Sequence, residues 1–454
     1  MRCPLRTLNR NEIAQQVQYI KKFWYLRMET LALPERKYFE AALEELNVVQ
    51  NIVISVLQRS TILEQKQSEL QNIIQQGIHS VVKCWYEYEQ KLIGESLSPE
   101  AIQDLREDTL DHSVFKYFKY ANSTQATRIG KKHCLESSLL EPESECSPGC
   151  PSAMAVMYSR IPKARGKHNK FEHILIEMHD KVFLDFIEID LVIERLHRTA
   201  DIICEDILWT KRELRQKFNY SILDLACGGN LLAREIENKL KAKGFLENDL
   251  QKVVVLGVDA DARAEKFTFA RNQNGILSTV GWKDTSQRGI RVEILKKNLL
   301  SVKAESTIQA WMNDNNVSGF NSVAVLGILD YFGCPVPGKT KVYIPEEKVS
   351  SFAAMIDSLT APEGMIIGAV FAEEGLDVIS AGCRHLFLNW HLNPVTRDVM
   401  QRRFPFLRST DFQEVATTHR VSDAQKRTRI NQGLHYFIHR KSEVTQAGLL
   451  DKQP

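Results

Sequence analysis

Apolar residues recur at helical spacing over the first 120 residues, with Phe39, Leu43, Leu46 and Val49 in one series. Ile74, Ile78, Val81, Trp85 and Tyr88 form a second. Pro34 precedes the first series, and Gly94 with Pro99 closes the second. The spacing predicts a helical region over residues 1–120, in which Trp24, Tyr25, Trp85 and Tyr88 read as bundle core. Periodicity then stops. Residues 121–170 are rich in Pro, Gly, Ser and charge and read as a linker or long loop. Inside it, Arg160, Lys163, Arg165, Lys167 and Lys170 concentrate positive charge. A long helix is predicted from about Phe171 to Ile207, with Val182, Phe186, Ile189, Ile193 and Leu196 on one stripe, so residues 171–215 read as connecting helices.

From Tyr220 onward buried strands alternate with helices, the mark of a doubly wound α/β domain over residues 216–442, followed by a tail over 443–454. SILDLACGGN (221–230) is an apolar strand ending in a small-residue turn, and a helix follows from Leu231 to Lys243. Small residues there let a ligand approach the backbone, while the helix N-terminus offers N–H groups to a carboxylate. A second strand, VVVLGVD (253–259), ends in an acid suited to the two hydroxyls of a ribose. The turn lacks the Gly-x-Gly-x-x-Gly that a pyrophosphate needs, so these residues point to a nucleoside cofactor rather than a dinucleotide.

In order, ILDLACGG, GVDAD, RVEILKKNLL, NSVAVLGILDYF, LTAPEGMIIGAVF and the pair EVATTHRV with GLHYFIHRK resemble the strand motifs of class I S-adenosylmethionine-dependent methyltransferases over about residues 215–440. The resemblance implies a Rossmann-like seven-stranded methyltransferase sheet behind an N-terminal all-helical domain, with S-adenosylmethionine as cofactor. It implies cofactor contacts from Asp224, Ala226, Cys227, Gly228 and Gly229 of the turn, and from Asp259 and Ala260, with Asp259 on the ribose. Asn298 and Leu299 after the third strand, near the adenine, and Gly327 after the fourth complete that set. Asp330 and Tyr331 fall where the fourth strand faces the methyl group and are the expected catalytic pair. Two positions depart from the pattern: Ala226 stands where the first glycine usually lies, and Asn230 where a third small residue is common.

Past the fifth strand, Arg384, His385, Trp390 and His391 read as an acceptor pocket. The DYF after the fourth strand and the stretch ending NPVTRDVM resemble bacterial methyltransferases of the extracellular-factor type, which make 3-hydroxypalmitic acid methyl ester. That likeness implies a carboxyl acceptor paired with Arg384 or Arg397. Ribosomal RNA is the competing acceptor, since ACGGN and ERLHRTADI resemble antibiotic-resistance rRNA methyltransferases. The 160–170 loop and Lys426-Arg427-Thr428-Arg429 would then meet phosphates. A third reading makes the helical half a docking module and the α/β half a degenerate cofactor sensor.

Composition narrows the picture. The chain of 454 residues has a net charge of +2, too balanced for a general polyanion binder, which favours a small-molecule or acyl acceptor. No stretch reaches the ~18 uncharged apolar residues that a membrane helix needs, and the N-terminus lacks the apolar core of a secretory signal. Nine scattered cysteines suggest reduced thiols in a cytoplasmic protein. Among them Cys146 and Cys150 lack a second tight pair, so no metal is expected from the sequence. GCPVPGKT (333–340) matches the P-loop expression, but Pro335 and Pro337 have no N–H to give a phosphate and the β-branched KVYIP opposes a following helix.

Overall fold

The computed structural model describes residues 10–28, 36–59, 64–112, 187–260, 268–271, 277–280, 289–336, 339–373, 378–387, 391–413, 416–420, 426–430 and 433–441. The expected linker with its basic loop, Trp390 and the C-terminal tail lie outside these residues.

Four helices open the described chain: α1 (Arg10–Met28), α2 (Arg36–Arg59), α3 (Glu64–Gly94) and α4 (Pro99–Asp111). Phe39, Leu43, Leu46 and Val49 of α2 are buried with Ile74, Ile78, Val81 and Trp85 of α3, as the helical spacing predicts. Pro99 occupies the first turn of α4, where no N–H partner is needed, and the Ser98 hydroxyl accepts from the Ala101 N–H at 3.2 Å.

Helix α5 (Ile187–Leu214) leads into the sheet. Of the predicted stripe, Ile189 and Leu196 are buried and Ile193 is partly buried, while Val182 and Phe186 lie outside the described residues. The buried side continues through Val192, Ala200, Ile203 and Ile207. Arg195 and Thr199 also lie on the buried side.

The strands are β1 (Tyr220–Leu225), β2 (Val253–Asp259), β5 (Arg291–Lys296), β6 (Phe320–Val325), β7 (Thr360–Phe371), β8 (Phe412–Gln413) and β11 (Leu434–Arg440). They form one seven-stranded sheet in the order β5-β2-β1-β6-β7-β11-β8, parallel from β5 to β7 and antiparallel across β11. The sheet is doubly wound, its order reversing between β1 and β6. Helices α5 and α6 (Leu231–Ala242) cover one face, and α8 (Ala304–Asp314) with α9 (Val349–Leu359) cover the other. Strand β1 is buried along its whole length, as expected of a parallel strand covered on both faces.

Three departures from the sequence reading appear, two of them from strand pairing that no local signal fixes. A short helix, α7 (Glu247–Leu250), precedes β2, and a separate hairpin of β3 (Thr268–Arg271) with β4 (Leu277–Val280) is inserted between β2 and β5. The strand expected from EVATTHRV does not pair with GLHYFIHRK. Instead β9 (Ala416–Arg420) pairs with β10 (Lys426–Ile430) in its own hairpin, and β11 takes Phe412 and Gln413 as its outer partner. No helix among the described residues is long and apolar enough to cross a membrane.

The helical region joins the α/β part through α10 (Val378–Leu386), which crosses α3 closely. A Cβ on Gly382 would lie 2.3 Å from the Val82 carbonyl oxygen, a backbone atom that cannot yield. Gly382→Ala should therefore force the helices apart and destabilise the protein by ~1–3 kcal/mol. Urea denaturation checks this; an unchanged midpoint would mean that the crossing is not tightly packed.

Candidate functional site

The turn after β1 is built from residues that accept left-handed backbone. Ala226 (φ 57°), Gly228 (φ 51°) and Asn230 (φ 55°) all lie in that region. Asn tolerates it and Gly prefers it, whereas Ala is held there by its surroundings. The Ala226 N–H donates to the Val258 carbonyl at 2.8 Å, tying the turn to β2. The Gly228 N–H donates to Asp259 Oδ2 at 2.8 Å. Asn230 fits because β2 has no side chain beneath it: a Cβ on Gly257 would lie 2.4 Å from Asn230 Oδ1 and 2.8 Å from Cys227 Sγ. The absent third small residue of the turn is thus compensated from the neighbouring strand.

This turn forms one wall of a cavity of about 360 Å³ at the carboxyl ends of the parallel strands. Asp224, Ala226, Cys227, Gly228, Gly229, Asp259 and Gly327 line it, together with Asp330 and Tyr331. The cavity lies where the sheet order reverses, the place at which open α/β sheets collect ligands. Its size falls within the range of small-molecule sites.

Three carboxyl groups give the cavity its electrostatics. Asp224 is 4 % exposed and receives no hydrogen bond or ion pair from a described residue. Burial, with the Asp259 charge adding to it, pushes the Asp224 carboxyl up to about 8. Burial and the same two carboxylates raise the Cys227 thiol well above its ordinary range, so it is no ready nucleophile.

Asp330 is 2 % exposed and fully engaged. Its Oδ1 accepts from the Phe371 N–H at 2.8 Å and its Oδ2 from Arg195 at 3.2 Å, while its carbonyl accepts from the Asn393 N–H at 2.9 Å. Burial raises the Asp330 carboxyl and Arg195 partly offsets that rise. This geometry differs from that of a waiting base. It pins the Leu329–Tyr331 turn, and Tyr331 packs edge-on against Tyr343, ring centres 5.6 Å apart.

Ala260, Asn298 and Leu299 do not line the cavity. Asn298 Oδ1 accepts from the Leu300 N–H at 2.9 Å as a turn cap, and Leu299 is core. Arg384, His385 and His391 also lie outside the lining, beside α3: His385 Nδ1 is 2.6 Å from Glu89 Oε2, and its ring stacks on His391 at 4.2 Å. Arg397 sits over the Phe412 ring, 5.8 Å from its centre. Conversely, Val192, Arg195 and Leu196 of α5, together with Tyr343, Ile344 and Leu392, line the cavity without having been read as site residues in the sequence. A charged residue within an apolar stripe was the one available signal, at Arg195.

Residues 337 and 338 of the P-loop match lie outside the described residues, and no helix directly follows Thr340 among the described residues. The Val336 N–H donates to the Lys341 carbonyl and the Tyr343 N–H to the Cys334 carbonyl, each at 2.8 Å. These bonds consume backbone groups around the loop and run the chain back on itself.

No protein-family model and no curated protein matches the chain. Solved structures do resemble it. One is a putative methyltransferase from Thermobifida fusca YX, 13 % identical, covering 65 % of this chain and 96 % of that one with a TM-score of 0.37. Another is the 1,6-didemethyltoxoflavin-N1-methyltransferase of Burkholderia thailandensis, solved with 1,6-didemethyltoxoflavin and S-adenosylhomocysteine. It is 16 % identical, with coverage of 62 % and 94 % and a TM-score of 0.29. The N-methyltransferase NodS of Bradyrhizobium japonicum WM9, in complex with S-adenosylhomocysteine, is 10 % identical, with coverage of 54 % and 87 % and a TM-score of 0.27. These are likenesses of fold.

Arg195→Met strands a buried carboxylate and should cost ~3–5 kcal/mol. Adding Asp330→Asn should recover part of that loss, because Asn still accepts from the Phe371 N–H and carries no charge. Urea unfolding of the single and double variants measures the difference; equal losses would show that the pair carries no buried charge interaction.

Proposed function

We propose that the chain is an S-adenosylmethionine-dependent methyltransferase acting on a small-molecule or acyl acceptor. The observation that carries this reading is Asp224, a buried carboxyl without a described partner, facing a cavity that a second carboxylate, Asp259, also lines. Such a group fits a ligand that brings its own cation, and the ammonium of the methionine moiety is one. The turn 226–229 and the start of α6 would hold the methionine carboxylate, and Asp259 the ribose hydroxyls. When bound, the cofactor supplies a methyl group on a sulfonium, open to in-line attack by a positioned nucleophile.

In this reading the acceptor would meet Tyr331, Tyr343, Val192, Ile344 and Leu392, all of which line the cavity. This wall is apolar and aromatic, which favours an acceptor with an apolar body. Arg195, the cation at this wall, is committed to Asp330, and Arg384 stands outside the lining. A carboxyl acceptor therefore has less support here than an apolar one. Asp330 is a positioning residue in this reading: it fixes the turn that carries Tyr331.

Calorimetry with S-adenosylmethionine and S-adenosylhomocysteine tests the proposal, and absence of binding by the folded chain would refute it. Asp259→Ala should weaken S-adenosylhomocysteine by ~1–3 kcal/mol through loss of charge-assisted hydrogen bonds.

A pH test is more specific to Asp224. In the free protein its carboxyl holds a proton up to about 8, so pairing with an ammonium must release that proton. Affinity for S-adenosylhomocysteine should rise roughly tenfold per pH unit below that value. It should fall again as the ligand amine, near ~8, loses its charge. Asp224→Asn should abolish the rise; a pH-independent affinity in the unmodified protein would mean the ammonium binds elsewhere.

A further inference from the structure

We propose that Glu89, His385 and His391 form a binding site for one divalent ion of the Zn²⁺ or Co²⁺ kind, where α3 meets the loop that walls the cavity. One ligand atom from each of the three lies within 4.8 Å of the others. Glu89 comes from α3, His385 from the last turn of α10, and His391 from the segment beyond it. Two imidazoles and a carboxylate are a ligand set that zinc uses, with a further position left for a solvent oxygen.

The site is built rather than incidental. Glu89 is 3 % exposed, an unusual place for a carboxylate, and its described partner is His385 Nδ1 at 2.6 Å. The close crossing at Gly382 fixes α10 against α3, so the two sides of the site are held in register. Around it, Arg106 Nε donates to the His385 carbonyl at 2.9 Å, and the Tyr86 ring lies 5.5 Å from the His385 ring. These outer contacts orient His385, as outer partners do for metal-binding histidines. Coordination through His385 Nδ1 requires the proton now shared with Glu89 to move to Nε2 or leave.

Charge decides which ions qualify. Arg106 and Arg384 lie near enough to His391 to disfavour added positive charge there. A hard cation such as Mg²⁺ or Ca²⁺, which relies on several oxygen ligands, has one carboxylate here and is excluded. An ion that binds imidazole nitrogen directly gains inner-sphere bonds that offset this repulsion and that a hard cation does not form here. The ion would staple the helical region to the cavity. Leu392, next to His391, lines the cavity, and Asn393 donates through Nδ2 to the Phe332 carbonyl at 2.6 Å.

Titration of Co²⁺ into the chelator-treated full chain tests this, with visible absorption and thermal unfolding as readouts. The expected result is one bound ion with a nitrogen–oxygen ligand-field spectrum and a raised melting temperature. Mg²⁺ should not compete. Glu89→Gln and His391→Gln should each abolish the spectrum. His197→Gln, in a separate His–Glu pair at 2.9 Å from Glu235, should leave it intact. Circular dichroism of the metal-free variants establishes that they are folded. A thiolate-to-cobalt absorption band, binding that survives His391→Gln, or no binding by the unmodified folded chain would each overturn the proposal. None of these readouts involves methyl transfer, so the result stands apart from the proposed activity.

Discussion

Removing a carboxylate from water costs several kcal/mol unless something replaces the lost solvent, and three carboxyl groups stand at one end of this sheet. Each is answered differently. Asp330 has a guanidinium and a backbone N–H, from Arg195 and Phe371. Asp259 has the Gly228 N–H of the neighbouring turn. Asp224, one strand away, is answered by no described residue and holds its proton instead. The unequal treatment of three like groups defines the site. Where the protein supplies the counter-charge, the carboxylate is architecture; where it does not, a ligand can supply it.

The same end of the sheet shows how a turn tolerates residues that look wrong in isolation. Ala226 and Asn230 depart from the small-residue pattern, yet both adopt the left-handed backbone the turn requires. Asn230 is accommodated because Gly257 removes a side chain from the strand below, and Ala226 because its N–H is bonded to Val258. Strain at one position is offset by contacts from another, a pattern common where a chain must present backbone to a ligand.

The parallel strands themselves, the turn and the acid closing β2 were legible in the sequence because local features signal them. Apolar runs, small residues and a terminal acid sit within a few positions of one another. The α2 and α3 cores were legible for the same reason, through their helical spacing. Pairing between distant segments was not. The β9–β10 hairpin and the short β8 at Phe412–Gln413 compete for one neighbour, and nothing local in ATTHR tells which it joins. Arg195 lies 135 residues from Asp330, so neither sequence neighbourhood announces the pair. Arg384 and His385 read as pocket residues from their chemistry alone. The crossing of α10 over α3 carries them to the helical side instead.

That crossing bears on the shape of the cavity. The strand-end residues of the turn line the cavity together with Val192, Arg195 and Leu196 of α5 and with Leu392. Leu392 is also part of the core shared by α1, α2, α3 and α10. The helical region is therefore mechanically continuous with this cavity wall, through packed side chains rather than a flexible tether. A close-packed interior transmits displacement, so a shift of α3 must move Leu392 or open a void beside it. The shape of this cavity wall is thereby written largely outside the strand motifs, in residues whose positions depend on helices that begin more than a hundred residues earlier.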